Sequence, residues 1–159
     1  MLEVAGPAEL ETCGDIKQVV ATLHAPLDEG AFLRAWERLL ECHAILRTRL
    51  RQQGPAQPVQ EVVDRARIPV QWFDWRALAE TERRARLETL VEESRARGFD
   101  TAQAPLMHLA LVRMGEAEHA MVWTVHPLLS DARSMLLLLK ELFACYDRKR
   151  AELLTRRRA

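Results

Sequence analysis

Apolar positions change their spacing several times along this chain, and each change marks an element. Residues 16–24 are rich in β-branched side chains and stop before Pro26, which predicts a strand. Asp28 can cap the helix that follows, with Leu27 packing on Phe32 across the cap. Phe32, Trp36, Leu39 or Leu40, and His43 then recur at helical spacing. Residues 45–50 leave that helix and become extended, and Gly54-Pro55-Ala56-Gln57-Pro58 is a turn. Residues 59–63 and 68–73 are two further candidate strands.

Asp74 can cap a long helix from Arg76 to Arg97, with Gly98 as its stop. Pairs such as Glu80/Arg84 and Glu82/Arg86 sit one turn apart on it and predict a solvated face. Residues 106–114 and 119–126 form a hairpin around Gly115-Glu116-Ala117-Glu118. Ser130 or Asp131 caps a last helix whose stripe is Met135, Leu138, Leu139, Leu142 and Tyr146. Leu136 and Leu137 lie off that stripe, so its first turns are expected to be buried on two sides. The expected organisation is a flexible arm over residues 1–15, one lobe over 16–148 and a basic tail over 149–159. The order of elements makes this an α+β or α/β chain, one sheet with helices packed on it.

Composition narrows the function classes. The chain has 159 residues, which suits one domain. Its 23 basic residues balance 23 acidic ones, so no global field draws it to nucleic acid or to a membrane. The longest pure apolar run, residues 135–139, is far short of the about 18 needed to span a bilayer. Residues 1–15 hold Glu3, Glu9, Glu11 and Asp15 and no basic leader, so the expected location is the cytoplasm. Cys13, Cys42 and Cys145 are odd in number and far apart, which argues against a zinc site.

Three local matches say more. His43-Ala44-Ile45-Leu46-Arg47-Thr48-Arg49-Leu50, after the helix with Trp36, resembles the early Arg-His-Glu-x-Leu-Arg-Thr-x-Phe motif of condensation domains from nonribosomal peptide synthetases. His43, Leu46, Arg47 and Thr48 match it, and Cys42 replaces its first Arg. Gly98-Phe99-Asp100-Thr101-Ala102-Gln103-Ala104-Pro105-Leu106 is similar to the family's Phe-Asp-Leu-x-x-x-Pro-Leu segment. His126-Pro127-Leu128-Leu129-Ser130-Asp131-Ala132-Arg133-Ser134 stands in the place of its His-His-x-x-x-Asp-Gly-x-Ser signature. The resemblance implies two lobes, each similar to chloramphenicol acetyltransferase, in about three times this length. This chain is then a single N-terminal lobe.

The signature is degenerate. In the family its second His lies in a tunnel between the lobes and assists attack of an acceptor amine on a donor thioester. Here that place is Pro127, which has no titratable group and no side-chain donor. His126 cannot step in, because on a strand it points to the face opposite to position 127, so it reads as a structural strand-end residue. Ala132 replaces the signature Gly. Asp131 is expected to anchor the loop or cap the helix, with Arg47, Arg49 or Arg133 as alternative partners. His43 and Arg47 read as structural members of the first motif. No residue is assigned to catalysis, to a metal or to a cofactor; any phosphopantetheine would arrive on a partner carrier protein.

These readings lead to a truncated, inactive condensation-like lobe that docks a carrier protein or neighbouring synthase domain in a nonribosomal peptide or hybrid polyketide assembly line. Half of a split acyl-transfer enzyme, or a fragment of a full amide-forming condensation domain, are the alternatives. The uncovered inter-lobe face also predicts self-association, most simply a two-fold homodimer, or a stable complex with a neighbouring synthase domain.

Overall fold

The structure is a computed structural model that describes residues 9–13, 16–52, 54–55, 57–129 and 132–158. Two adjacent strands open the chain, β1 (Glu9–Cys13) and β2 (Ile16–Leu23). Helix α1 (Glu29–Cys42) follows, capped as the sequence predicts by the Asp28 carboxylate, which accepts from the Ala31 N–H at 3.0 Å. A 3-10 turn at Ala44–Arg47 leads into β3 (Thr48–Arg51), which pairs with β4 (Val59–Val62) as a separate ribbon. Then come β5 (Val70–Asp74), α2 (Glu80–Ala96), β6 (Met107–Gly115), β7 (Glu118–Val125) and α3 (Ala132–Arg158).

The main sheet has the order β1-β2-β7-β6-β5, antiparallel except for the parallel β5–β6 pair. β7 is therefore central, as its continuous apolar sequence requires. Alternation along the strands divides two cores. Val19, Ala21 and Leu23 of β2 and Met121, Trp123 and Val125 of β7 face α1 and α3. Ala110, Val112, Ala120 and Val122 face the side of Leu90 on α2. Trp36, Leu39, Val122, Val125, Leu138 and Leu142 are all buried, as expected for helices packed on a central strand. Edge-to-face aromatic contacts join the larger core, Phe32 to Trp36 and to Tyr146, and Trp36 to Trp123 at 5.2 Å.

Several expectations need correction. β1 lies within the segment read as a flexible arm, where it pairs with β2 from Glu9 to Cys13. Residues 44–47 make a 3-10 turn before the chain extends. α2 begins at Glu80 without a side-chain cap. Asp74 instead binds the Arg76 N–H and guanidinium, closing a turn before the helix. Leu136 and Leu137 are 45% and 55% exposed, because α3 packs on the sheet through one face only. Residues 149–158 of the expected basic tail are the last turns of α3.

Candidate functional site

The three family-like segments meet around one loop, residues 98–105. Gly98 takes φ 64°, a left-handed turn that glycine adopts without cost, and so ends the α2 segment. Thr101 O then accepts from Leu50 N at 2.7 Å, tying the loop to β3 and the first motif. Asp100 Oδ1 accepts from Ala102 N and its carbonyl from Gln103 N, which holds the loop in a compact turn. The Phe99 ring lies 5.8 Å from the His126 ring, edge-on, and 5.0 Å from that of His108. One loop thus links the first and third motifs.

His126 continues β7 by donating its N–H to Leu106 O, and its own carbonyl accepts from Leu129 N as the chain turns. Its Nδ1 accepts from Leu128 N at 3.1 Å. A neutral imidazole that accepts at Nδ1 carries its proton on Nε2. In that arrangement the ring has no lone pair left to take a proton from an amine. Pro127 is exposed in the same turn. Ser130 and Asp131 lie outside the described residues, so the expected partnership of Asp131 with Arg47, Arg49 or Arg133 does too. Ala132 is the first residue of α3.

Arg47 and His43 hold elements together. Arg47 donates from Nε to Leu40 O at 2.9 Å and from Nη1 to Val63 O at 2.6 Å and Asp64 O at 3.2 Å. It joins the end of α1 to the chain leaving β4. Val63 N returns a bond to Arg47 O. His43 Nε2 pairs with Glu141 on α3. Arg49 pairs with Glu61 across the β3–β4 ribbon at 2.8 Å.

A polar cluster that sequence reasoning did not single out lies on the α2 face of the sheet. Buried Gln18 on β2 donates to Val91 O and to Thr124 Oγ1, and accepts from Arg95. His108, opposite Thr124 on β6, is buried beneath Phe99. Burial first, and then the Arg97 charge, pushes its pKa down to about 4, against a hydrogen bond to the Ser94 backbone. The cluster ties α2 to the sheet. Its signal in the sequence is faint: a Gln, a Thr and a His on three apolar strands, which become neighbours only once the strand order is known.

The profile of the condensation-domain family matches residues 14–156. The chain belongs to that family. One component of the linear gramicidin synthase of Brevibacillus parabrevis is 36% identical over 87% of this chain, which spans 3% of that protein. Chondramide synthase of Chondromyces crocatus is 33% identical over 83% of this chain and 3% of its own length. Among solved structures, SgcC5 from Streptomyces globisporus superposes with a TM-score of 0.77 at 23% identity, over 86% of this chain and 31% of that one. The X-domain from teicoplanin biosynthesis superposes with a TM-score of 0.71 at 27% identity, over 89% and 29%. This condensation-domain chain therefore spans under a third of these solved relatives. The fold is the lobe similar to chloramphenicol acetyltransferase. Among the described residues no group of His, Cys, Asp and Glu could hold a metal ion, and no helix is long and apolar enough to cross a membrane.

Proposed function

We propose that this chain is a non-catalytic condensation-like lobe that docks a carrier protein or a neighbouring synthase domain in a cytoplasmic nonribosomal peptide, or hybrid polyketide, assembly line. The observation that carries this reading is the His126-Pro127 turn. Pro127 stands where the family signature holds its second His, and His126 has its Nδ1 lone pair committed to Leu128 N. Neither His126, whose Nδ1 is engaged, nor Pro127 is then placed to take the amine proton. General-base assistance is typically worth about 10²–10⁴-fold in rate. The signature residues His126, Pro127, Asp131 and Ala132 then serve structure, as do His43 and Arg47. The chain needs no cofactor of its own, since the phosphopantetheine arm belongs to the carrier protein.

A relative supports the docking role. The X-domain from teicoplanin biosynthesis, 27% identical to this chain, has been solved as a complex with OxyB.

The test uses the purified chain with carrier-bound acyl thioesters and amine acceptors. The expected result is no amide or ester product by mass spectrometry, together with measurable binding of a carrier protein or adjacent domain by calorimetry. Product formation that disappears in His126→Ala overturns the reading and favours the split enzyme. Absence of both product and binding removes the docking role.

A further inference from the structure

α2 buries only Leu90 and Ser94. Ser94 belongs to the last turn of that helix, where carbonyls have no helical partner. His108 supplies one from the sheet. It is buried on β6 and donates a ring N–H to the Ser94 carbonyl. Its Nε2 is buried without a hydrogen-bond partner, so the donor is Nδ1. The ring thus fits its place in the neutral form. A proton on Nε2 would set a second N–H where no acceptor meets it.

The groups around the ring do not welcome that proton. Among the described residues, the end of the α2 segment brings the Arg97 charge, and Arg95 one bond away on Gln18. β7 offers Thr124 and β2 offers Gln18, neither of which titrates. His126 lies on the far side of the Phe99 ring. The loop after α2 carries Asp100, whose Oδ1 is taken by Ala102 N. Ahead of β5, the Pro69 carbonyl is taken by Leu109 N.

We propose that His108 is an acid-sensitive latch. While neutral it holds the end of α2 and the following loop on the sheet, and its protonation lets residues 94–101 swing away with the rest of the fold closed. The loop moves with the helix end because Phe99 packs on the same ring at 5.0 Å. Thr101 follows, and its carbonyl is the acceptor for Leu50 N. Opening therefore parts the first family-like segment from the third, which this loop joins. Gly98 is the pivot, with φ 64° and free space where a Cβ would stand. Leu90 and the bond from Gln18 to Val91 O lie before the released turn and keep the rest of α2 in place. The latch is read on contacts within this chain and does not depend on the docking role.

Native-state hydrogen exchange over a urea series, at pH 7 and pH 5, tests this. Arg97 N, bonded to Glu93 O, and Leu50 N report the latch, and the amides of α1 report global unfolding. The two reporters should exchange through an opening that urea barely affects, because it exposes little surface. A ring pKa of about 4 when closed, against 6.5 when open, makes that opening about twentyfold more populated at pH 5 than at pH 7. His108→Leu should abolish the rise. Arg97→Gln, at an exposed position, should shrink it, because the Arg97 charge opposes the proton. Reporters that share the urea dependence of α1 at both pH values overturn the proposal, since the proton would then unfold the whole chain. A rise that persists in His108→Leu overturns it too. Should that variant not fold, NMR titration of the unmodified chain decides. The His108 ring and the Leu50 and Arg97 amides should shift with one midpoint, and a ring that titrates while both amides stay still removes the latch.

Discussion

His108 lies on the α2 side of β6, and its folded-state pKa of about 4 is well below the ordinary value of 6.5. Between these two values the unfolded chain binds a proton that the folded chain refuses. Stability from the neutral, buried ring is thus full above about pH 6.5 and is lost as the pH falls toward 4. Between pH 7 and pH 5 this amounts to about 2 kcal/mol. Urea unfolding at both pH values should show that loss, and His108→Leu should lack most of it; equal slopes for the two chains would refute the assignment. Arg47 is the second residue whose effect is set by geometry. Arg47→Ala leaves the Leu40 and Val63 carbonyls without their donor and should cost about 2 kcal/mol by chemical denaturation. Arg47→Lys should recover little, because one ammonium cannot span two carbonyls that the planar fork reaches together. The motif match singled out Arg47 as structural from the sequence. His108 carried no such mark, since the fate of a strand His depends on which helix covers its face.

The helices differ in how firmly they are held. α1 buries Ala31, Phe32, Ala35, Trp36, Leu39 and Leu40 along one stripe, whereas α2 buries only Leu90 and Ser94. Such a thinly packed helix opens at low free energy. Its amides should exchange faster than those of α1 in native-state hydrogen exchange. Gln18→Ala should widen the gap, because it removes the bonds to Val91 O and Thr124 and the acceptor for Arg95. Unchanged protection across α2 in that variant would show that the cluster does not anchor it. The same contrast explains what the sequence revealed. α1 was legible because its apolar period and Asp28 cap agree. The start of α2 was not, since its exposed, charge-paired surface has little apolar period and Asp74 satisfies Arg76 instead. β1 was missed because Gly6, Pro7 and Gly14 suggested a loop, while its pairing with β2 is a tertiary fact.

At the scale of the whole molecule, the sheet and α1 set how much of α3 matters. α3 has 27 residues, a length of about 40 Å at 1.5 Å per residue. Among the described residues, Cys145 and Tyr146 are the last of α3 in the core. Removing residues 149–159 should therefore change the unfolding free energy by about 1 kcal/mol or less, as denaturant melts would show. A larger loss would mean that the final turns pack against something. Size also limits what one substitution can restore to the His126-Pro127 turn. Pro127→His supplies the residue type of the family signature, yet rate also depends on holding donor and acceptor together. That contribution reaches about 7–11 kcal/mol in well-oriented reactions. In the family it comes from a tunnel walled by two lobes, and this chain spans about 31% of a solved relative. Pro127→His in the isolated chain should thus form no detectable amide from carrier-bound thioesters and free amines over hours, followed by mass spectrometry. Product above the uncatalysed background would mean that one lobe alone can orient both substrates, and would reassign this turn from structure to catalysis.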